Sequence, residues 1–204
     1  MNFLSKLSKF TFAKCKVEFT AVILFVGLAN SIQAEETQEK RNLEVAESFI
    51  DVFYSFNKEN LKKAISSAKK SIPLIVFYQG WAKGGNYKIV NRMPCEVKQK
   101  QIVTCSITVD DDLMDALDID FNVTDTFHLT FSEGKITSVK TSSNDLPVFN
   151  DALEWVKENL PELIREPCRG FFDGGPTPEK CVRAMVEGFK QYIASDDFPE
   201  KYKK

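Results

Sequence analysis

The spacing of apolar residues changes twice along this chain, and that change limits the fold more than any single motif. Within residues 39–56, Leu43, Ala46, Ile50 and Phe53 recur at helical intervals, with Phe49 and Phe56 widening the stripe. A second helix is predicted from Asn60, its cap, with Leu61, Ala64, Ile65 and Ala68 as the apolar face. Pro73 marks a break. Leu74 to Tyr78 reads as a short strand, and Gly80, Gly84 and Gly85 make a turn or loop around Trp81. From Tyr87 to Thr141 the period moves to two. Strands are predicted over 87–92 (running on past Pro94 to Lys98), 101–109, 126–131 and 136–141, with a tight turn at Ser132 to Lys135. Asp110-Asp111-Asp112 stops the second of these strands, and Leu113 to Leu117 makes one helical turn. Helical spacing returns with Phe149, Ala152, Leu153, Val156 and Leu160, between Pro147 and Pro161. Thr177-Pro178-Glu179 opens a last helix carrying Val182, Met185, Val186, Phe189 and Ile193. The polar tail after Asp196 is expected to fray. Helices, then antiparallel hairpins, then helices make an α+β plan. No internal repeat or linker interrupts it, so a single domain over 35–204 is expected.

The first 34 residues read differently. Lys6, Lys9, Lys14 and Lys16 make a basic start, Phe19 to Ala29 is apolar except for Thr20, and Ser31-Ile32-Gln33-Ala34 ends in a small residue before Glu35-Glu36. This is the order of a secretory signal peptide, with cleavage expected near Ala34 or after Ala29. The apolar run is shorter than the ~20 residues that span a bilayer. No stable membrane span is expected after cleavage; an uncleaved signal anchor is the alternative. Cys15 precedes the apolar run and lacks a lipid-attachment context.

Removing the leader takes four lysines and Glu18 with it, leaving 23 basic and 28 acidic side chains and a net charge of −5. No polycationic footprint for nucleic acid exists. Four cysteines remain, an even number that suggests two disulfides in an exported chain. Cys95 and Cys105 flank Lys98-Gln99-Lys100-Gln101, and a hairpin with its tip near Lys100 places them opposite each other. Cys168 and Cys181 flank a loop with Gly170, Gly174, Gly175, Pro176 and Pro178, where a bridge ties two helices together. Pairing Cys95–Cys105 and Cys168–Cys181 is therefore expected. A four-cysteine zinc site is disfavoured because no pair has the close spacing of such ligands.

The stretch Thr126-Phe127-His128-Leu129-Thr130-Phe131-Ser132-Glu133-Gly134-Lys135-Ile136 resembles the last hairpin of nuclear-transport-factor-2-like, or SnoaL-like, domains (the cystatin-like cone). The segment Val103-Thr104-Cys105 and the ending from Phe149 to Ile193 are similar to uncharacterised members, and the resemblance covers about residues 40–195. It implies a curved, mostly antiparallel sheet wrapped around N-terminal helices, enclosing an apolar cavity, with additional C-terminal helices as a cap. Some members are isomerases, dehydratases or cyclases with a carboxylate or histidine in the cavity; others only bind. A shared fold does not choose among these.

The chemical candidates are few. His128 is the sole histidine. Strand alternation places it with Thr126 and Thr130, away from Phe127, Leu129 and Phe131, so an outer-face or dimer-contact role is expected. A single histidine excludes a histidine-rich metal site. Asp110, Asp111, Asp112, Asp115, Asp118 and Asp120 lack the glycine and glutamate of an EF-hand loop and read as a solvated turn. Asp51 borders the first apolar stripe and faces either inward or to solvent; it receives no catalytic role. Asn122-Val123-Thr124 matches a glycosylation acceptor, but a bacterial envelope is the expected setting. There is no phosphate-cradling loop, dinucleotide fingerprint or nucleophile elbow, so neither cofactor nor metal is expected.

The expected function is an exported, periplasmic or secreted binding domain without assigned catalysis. Its partner is a small apolar ligand or a protein, and a homodimer is left open. Phe49, Phe53, Phe77, Tyr78, Trp81, Phe127, Leu129 and Phe131 are the candidate cavity walls; the alternative is that these side chains simply fill the core. An isomerase- or dehydratase-like enzyme with a carboxylate in the cavity is the second expectation.

Overall fold

The computed structural model describes residues 17–170 and 179–203, and side-chain surroundings from residue 36 onward. The described chain is α+β. Its elements are α1 (Val17–Tyr54), α2 (Lys58–Ala64), α3 (Ile72–Gly84), β1 (Lys88–Arg92), β2 (Glu96–Gln99), β3 (Ile102–Asp110), α4 (Asp112–Ala116), β4 (Val123–Ser132), β5 (Lys135–Ser143), α5 (Pro147–Asn159), α6 (Pro161–Ile164) and α7 (Glu179–Ile193). A 3-10 turn at Glu200–Tyr202 follows. The chain divides into two compact units after Lys40, and α1 crosses the expected cleavage point at Ala34. Among the described residues no helix is long and apolar enough to cross a membrane. The unit from Arg41 onward holds the end of α1, the whole sheet and the C-terminal helices.

The sheet is antiparallel and open. Its order is β1-β3-β4-β5, with β2 pairing the far end of β3. Pro94 cannot donate to the ladder, so the stretch expected as one strand becomes β1 and β2, separated by Met93, Pro94 and Cys95. Glu96 faces Thr104, so Cys95 meets Cys105, and the two are disulfide-bonded. Cys168, in the turn after α6, is bonded to Cys181 in the first turn of α7. Both bridges fit an oxidising compartment. The hairpin β4–β5 turns at Glu133 and Gly134, whose φ values of 51° and 73° are both positive. A two-residue turn with this sign of φ matches the twist of its strands, and glycine enters it without a Cβ penalty.

Alternation along β3 and β4 sorts the two faces. Val103, Cys105, Ile107, Val109, Phe127, Leu129 and Phe131 are buried, while Thr104, Ser106, Thr108, Thr124, Thr126 and His128 lie half-exposed on the other face. Hydroxyls cross that outer face in pairs, Ser106 with Thr126 at 3.1 Å and Thr108 with Thr124 at 2.9 Å. The inner face packs on α1, with the Phe127 ring 5.6 Å from Phe49 and 4.8 Å from Phe53.

Four expectations change. The run Leu74–Tyr78 is helix, not strand, and Gly80 and Trp81 continue it rather than forming a loop. Pro73 stands in the first turn of α3, where its missing N–H costs nothing. Ile75, Gln79 and Ala82, at i, i+4 and i+7, are buried together with Trp81 and Gly84, whereas Leu74 is exposed. The cap of α2 is Asn57, whose side chain accepts from the Asn60 N–H at 3.0 Å; Asn60 lies within the first turn, and Ala64 is exposed. The tail does not simply fray: Phe198 is buried, 5.3 Å from the Tyr192 ring. The acidic turn after β3 is not uniformly solvated, because Asp111 is buried. The expected entry of the last helix at Thr177-Pro178 lies outside the described residues.

The C-terminal helices pack through glycines. A Cβ at Gly188 of α7 would sit 2.5 Å from Val156 Cγ2 of α5, and one at Gly84 of α3 would sit 2.7 Å from Val182 Cβ of α7. Only a hydrogen at these positions lets the helices approach so closely, and the approach sets α3, α5 and α7 side by side.

Candidate functional site

One strand position breaks the apolar pattern of the inner face. Asp125 shares that face with Val123 and Phe127 and is 1% exposed. The Tyr54 hydroxyl at the end of α1 donates to its Oδ2 at 3.4 Å. Its Oδ1 is buried without a hydrogen-bond partner. Burial pushes the carboxyl up to about 6, against the lowering effect of hydrogen bonding from Tyr78; Asp145 raises it further and Tyr54 lowers it. The phenols respond in kind. Burial and the Asp125 charge hold Tyr54 and Tyr78 far above the ordinary tyrosine range.

A second buried acid lies nearby in the same network. Asp111 caps α4, accepting from the Leu113 N–H at 2.9 Å and the Met114 N–H at 3.1 Å. Burial raises it to about 7 although both backbone bonds oppose the shift. Tyr87 feels the charge of both acids. It is raised by burial first, then by the charges of Asp111, Asp125 and Asp145, while hydrogen bonding with Trp81 lowers it.

A pocket of about 250 Å³ opens beside this network. Phe77, Tyr78 and Trp81 of α3, Tyr87, Thr141 and Ser142 and Ser143 of β5, Asp145 and Phe149 line it. The helical conformation of 72–84 is what brings Phe77, Tyr78 and Trp81 to one wall, since i, i+1 and i+4 fan across one side of a helix. Asp125 is not part of the lining; it connects to the pocket through Tyr78. A larger groove of about 590 Å³ runs between α4 and α7, but its walls are mostly charged: Asp112, Asp115, Asp118, Arg183, Glu187 and Lys190.

Of the expected cavity walls, Phe77, Tyr78 and Trp81 come together at the pocket. Phe49, Phe53, Phe127, Leu129 and Phe131 are buried in the core. His128 stands on the outer face, its Nε2 3.1 Å from Ser142 Oγ. Asp51 is exposed and pairs with Arg92, which also binds Glu47 at 2.6 Å. Asp112 is held by Asn86 at 3.1 Å and by Arg183. Among the described residues no group of three acidic, histidine or cysteine side chains could hold a metal ion.

Asp125, Tyr54, Tyr87 and Phe149 do not stand out as site residues in the sequence. The alternation that places Phe127, Leu129 and Phe131 inward also places Asp125 inward when extended by one step of two. No family model, curated protein or solved structure matches this chain.

Proposed function

We propose that the chain is an exported binding domain of the cone-shaped SnoaL-like kind, and that its ligand seats in the pocket between α3, β5 and α5. The observation that carries this is the aromatic wall of Tyr78, Trp81, Tyr87 and Phe149 around about 250 Å³ of open space, with Thr141 and Ser143 supplying polar edges. Mostly apolar walls with a few convergent polar groups are the usual build of a small-molecule site. The two disulfides and the basic, then apolar, leader support export. The test uses tryptophan emission. The chain has two tryptophans, so Trp155→Phe leaves Trp81 as the sole reporter. Titration with benzyl alcohol, a neutral aromatic probe, is expected to shift Trp81 emission saturably. Thr141→Phe, which fills the pocket from β5, is expected to abolish the shift. A linear, non-saturating response in the Trp155→Phe protein would count against a binding pocket.

A second reading is favoured by Asp125 alone: an acid–base enzyme of the isomerase or dehydratase type. A buried carboxylate near 6, with one oxygen unpartnered and two phenols beside it, is poised to accept and return a proton near neutral pH. Asp125 lies behind the pocket wall, so it would exchange protons with a substrate only through Tyr78: the Tyr78 oxygen takes the substrate proton as its own phenol proton passes to Asp125, and the reverse returns it. On this reading the protein accelerates exchange of the α-protons of cyclohexanone in deuterated water, and Asp125→Asn removes the acceleration while the fold stays intact. Proton NMR reads both, and wild-type exchange at the buffer rate would sink it.

A further inference from the structure

We propose that the pocket between α3, β5 and α5 selects an organic cation, a quaternary ammonium or alkylamine head group, by enclosing it in aromatic faces under a surplus of negative charge. This rests on the ligand-binding reading and gives it a ligand class.

Three observations converge. The walls carry Phe77, Tyr78, Trp81, Tyr87 and Phe149, and the rings of Trp81 and Phe149 meet edge-to-face at 6.2 Å. Aromatic faces carry the negative part of the ring quadrupole and attract a desolvated cation, which is why rings clustered around a pocket suit ammonium groups. The charge in and behind the walls has one sign. Asp145 is in the lining, no lysine or arginine is among the described lining residues, and Asp111 and Asp125 act on the Tyr87 phenol from the protein side. An anionic ligand would meet these carboxylates with no compensating cation. A cation would instead relieve their mutual repulsion and favour their ionised forms. The size fits as well. About 250 Å³ lies just below the usual range for small-molecule sites, enough for a compact head group and too little for a long-chain lipid.

The mature chain's net charge of −5 adds a weak attraction for cations over the whole surface. That general attraction does not depend on Asp145, and the test separates the two.

Choline and its uncharged shape analogue 3,3-dimethyl-1-butanol are titrated into the purified protein by calorimetry, with 3,3-dimethylbutanoate as the anionic member of the series. Choline is expected to bind about tenfold more tightly than the alcohol, and the acid not to bind. Asp145→Asn, at an exposed position, is expected to weaken choline several-fold and leave the alcohol unchanged. Thr141→Phe is expected to abolish binding of both. Equal affinity for choline and the alcohol would overturn the cation preference while the binding pocket stands. Loss of choline affinity equal to that of the alcohol in Asp145→Asn would overturn the role given to charge. Failure of all three compounds to bind would overturn the cation site, and with a flat Trp81 response to benzyl alcohol the pocket itself.

Discussion

Phe127→Ala is expected to lower stability by about 3–5 kcal/mol, a large share of what holds a domain of this size together. Phe127 is fully buried on the inner face of β4. Its ring lies against Phe49 and Phe53 of α1 at 5.6 and 4.8 Å and against Tyr54 and Tyr78 at 6.5 and 6.1 Å. It is thus the shared contact of the first helix, the third helix and the sheet. Truncation removes the transfer energy of the ring and leaves a cavity that two helices and a strand border, so collapse into the space is difficult. Phe127→Leu keeps most of the volume and should cost about 1–1.5 kcal/mol. The pocket should suffer too, because Tyr78 leans on Phe127 and loses its backing. Urea unfolding of both variants gives the stabilities. A loss below about 1 kcal/mol for the alanine variant would mean that the aromatic cluster is not the keystone that its geometry makes it.

The α+β plan is legible because period carries it. Alternation in 101–109 and 126–131 predicts β3 and β4 and sorts their faces, including the outward placement of His128. The disulfide partners follow from the hairpin register around Lys100, since facing residues of antiparallel strands stand within reach of a bridge. The segment 72–84 misleads because Leu74-Ile75-Val76-Phe77-Tyr78 is apolar at every position. A continuous apolar run shows neither period, and the β-branched and aromatic residues tip it towards strand. Burial at Ile75, Gln79 and Ala82 becomes intelligible only with a partner surface in view. That surface is assembled from α1, β4 and α7, three elements that no local window of sequence holds together.

The site is less legible for a related reason. Three pocket residues, Phe77, Tyr78 and Trp81, are among the candidate walls, yet so are five side chains that the core absorbs. Composition cannot separate a wall from a filling; only the space beside the ring does. Asp125 is within reach, because the rule that turns Phe127 inward turns it inward as well. The residue is hidden by its type: an aspartate three positions after Asn122, at the start of a strand, reads as a strand end. Asp111 is hidden by company, one of three consecutive aspartates of which Asp110 and Asp112 find cations and Asp111 caps a buried helix.

The other large effect concerns the buried acid of β4 directly. Asp125→Asn is expected to stabilise the protein at pH 7.5 by about 1–3 kcal/mol and to flatten its pH dependence. The folded-state value of Asp125 is raised to about 6 from an ordinary 3.8, with burial as the main cause. Between about pH 4 and pH 6 the folded protein therefore keeps a proton that the unfolded chain has released. The folded state binds more protons, so stability falls as pH rises through this window, and the whole cost is present above it. A shift of about two units corresponds to about 3 kcal/mol, an upper figure because the buried oxygen can draw in water. Asparagine keeps the shape, can still accept from Tyr54, and cannot ionise. Asp111, raised to about 7, imposes the same sign of dependence in both proteins, extending to about pH 7. The quantity to compare is thus the difference between wild type and variant: near zero below pH 4, growing to pH 6, then constant. Thermal or urea unfolding of both proteins from pH 4 to pH 8 measures it. A variant that is less stable than wild type throughout, with an unchanged slope, would mean that Asp125 is held as a satisfied carboxylate, and would remove the proton-transfer reading.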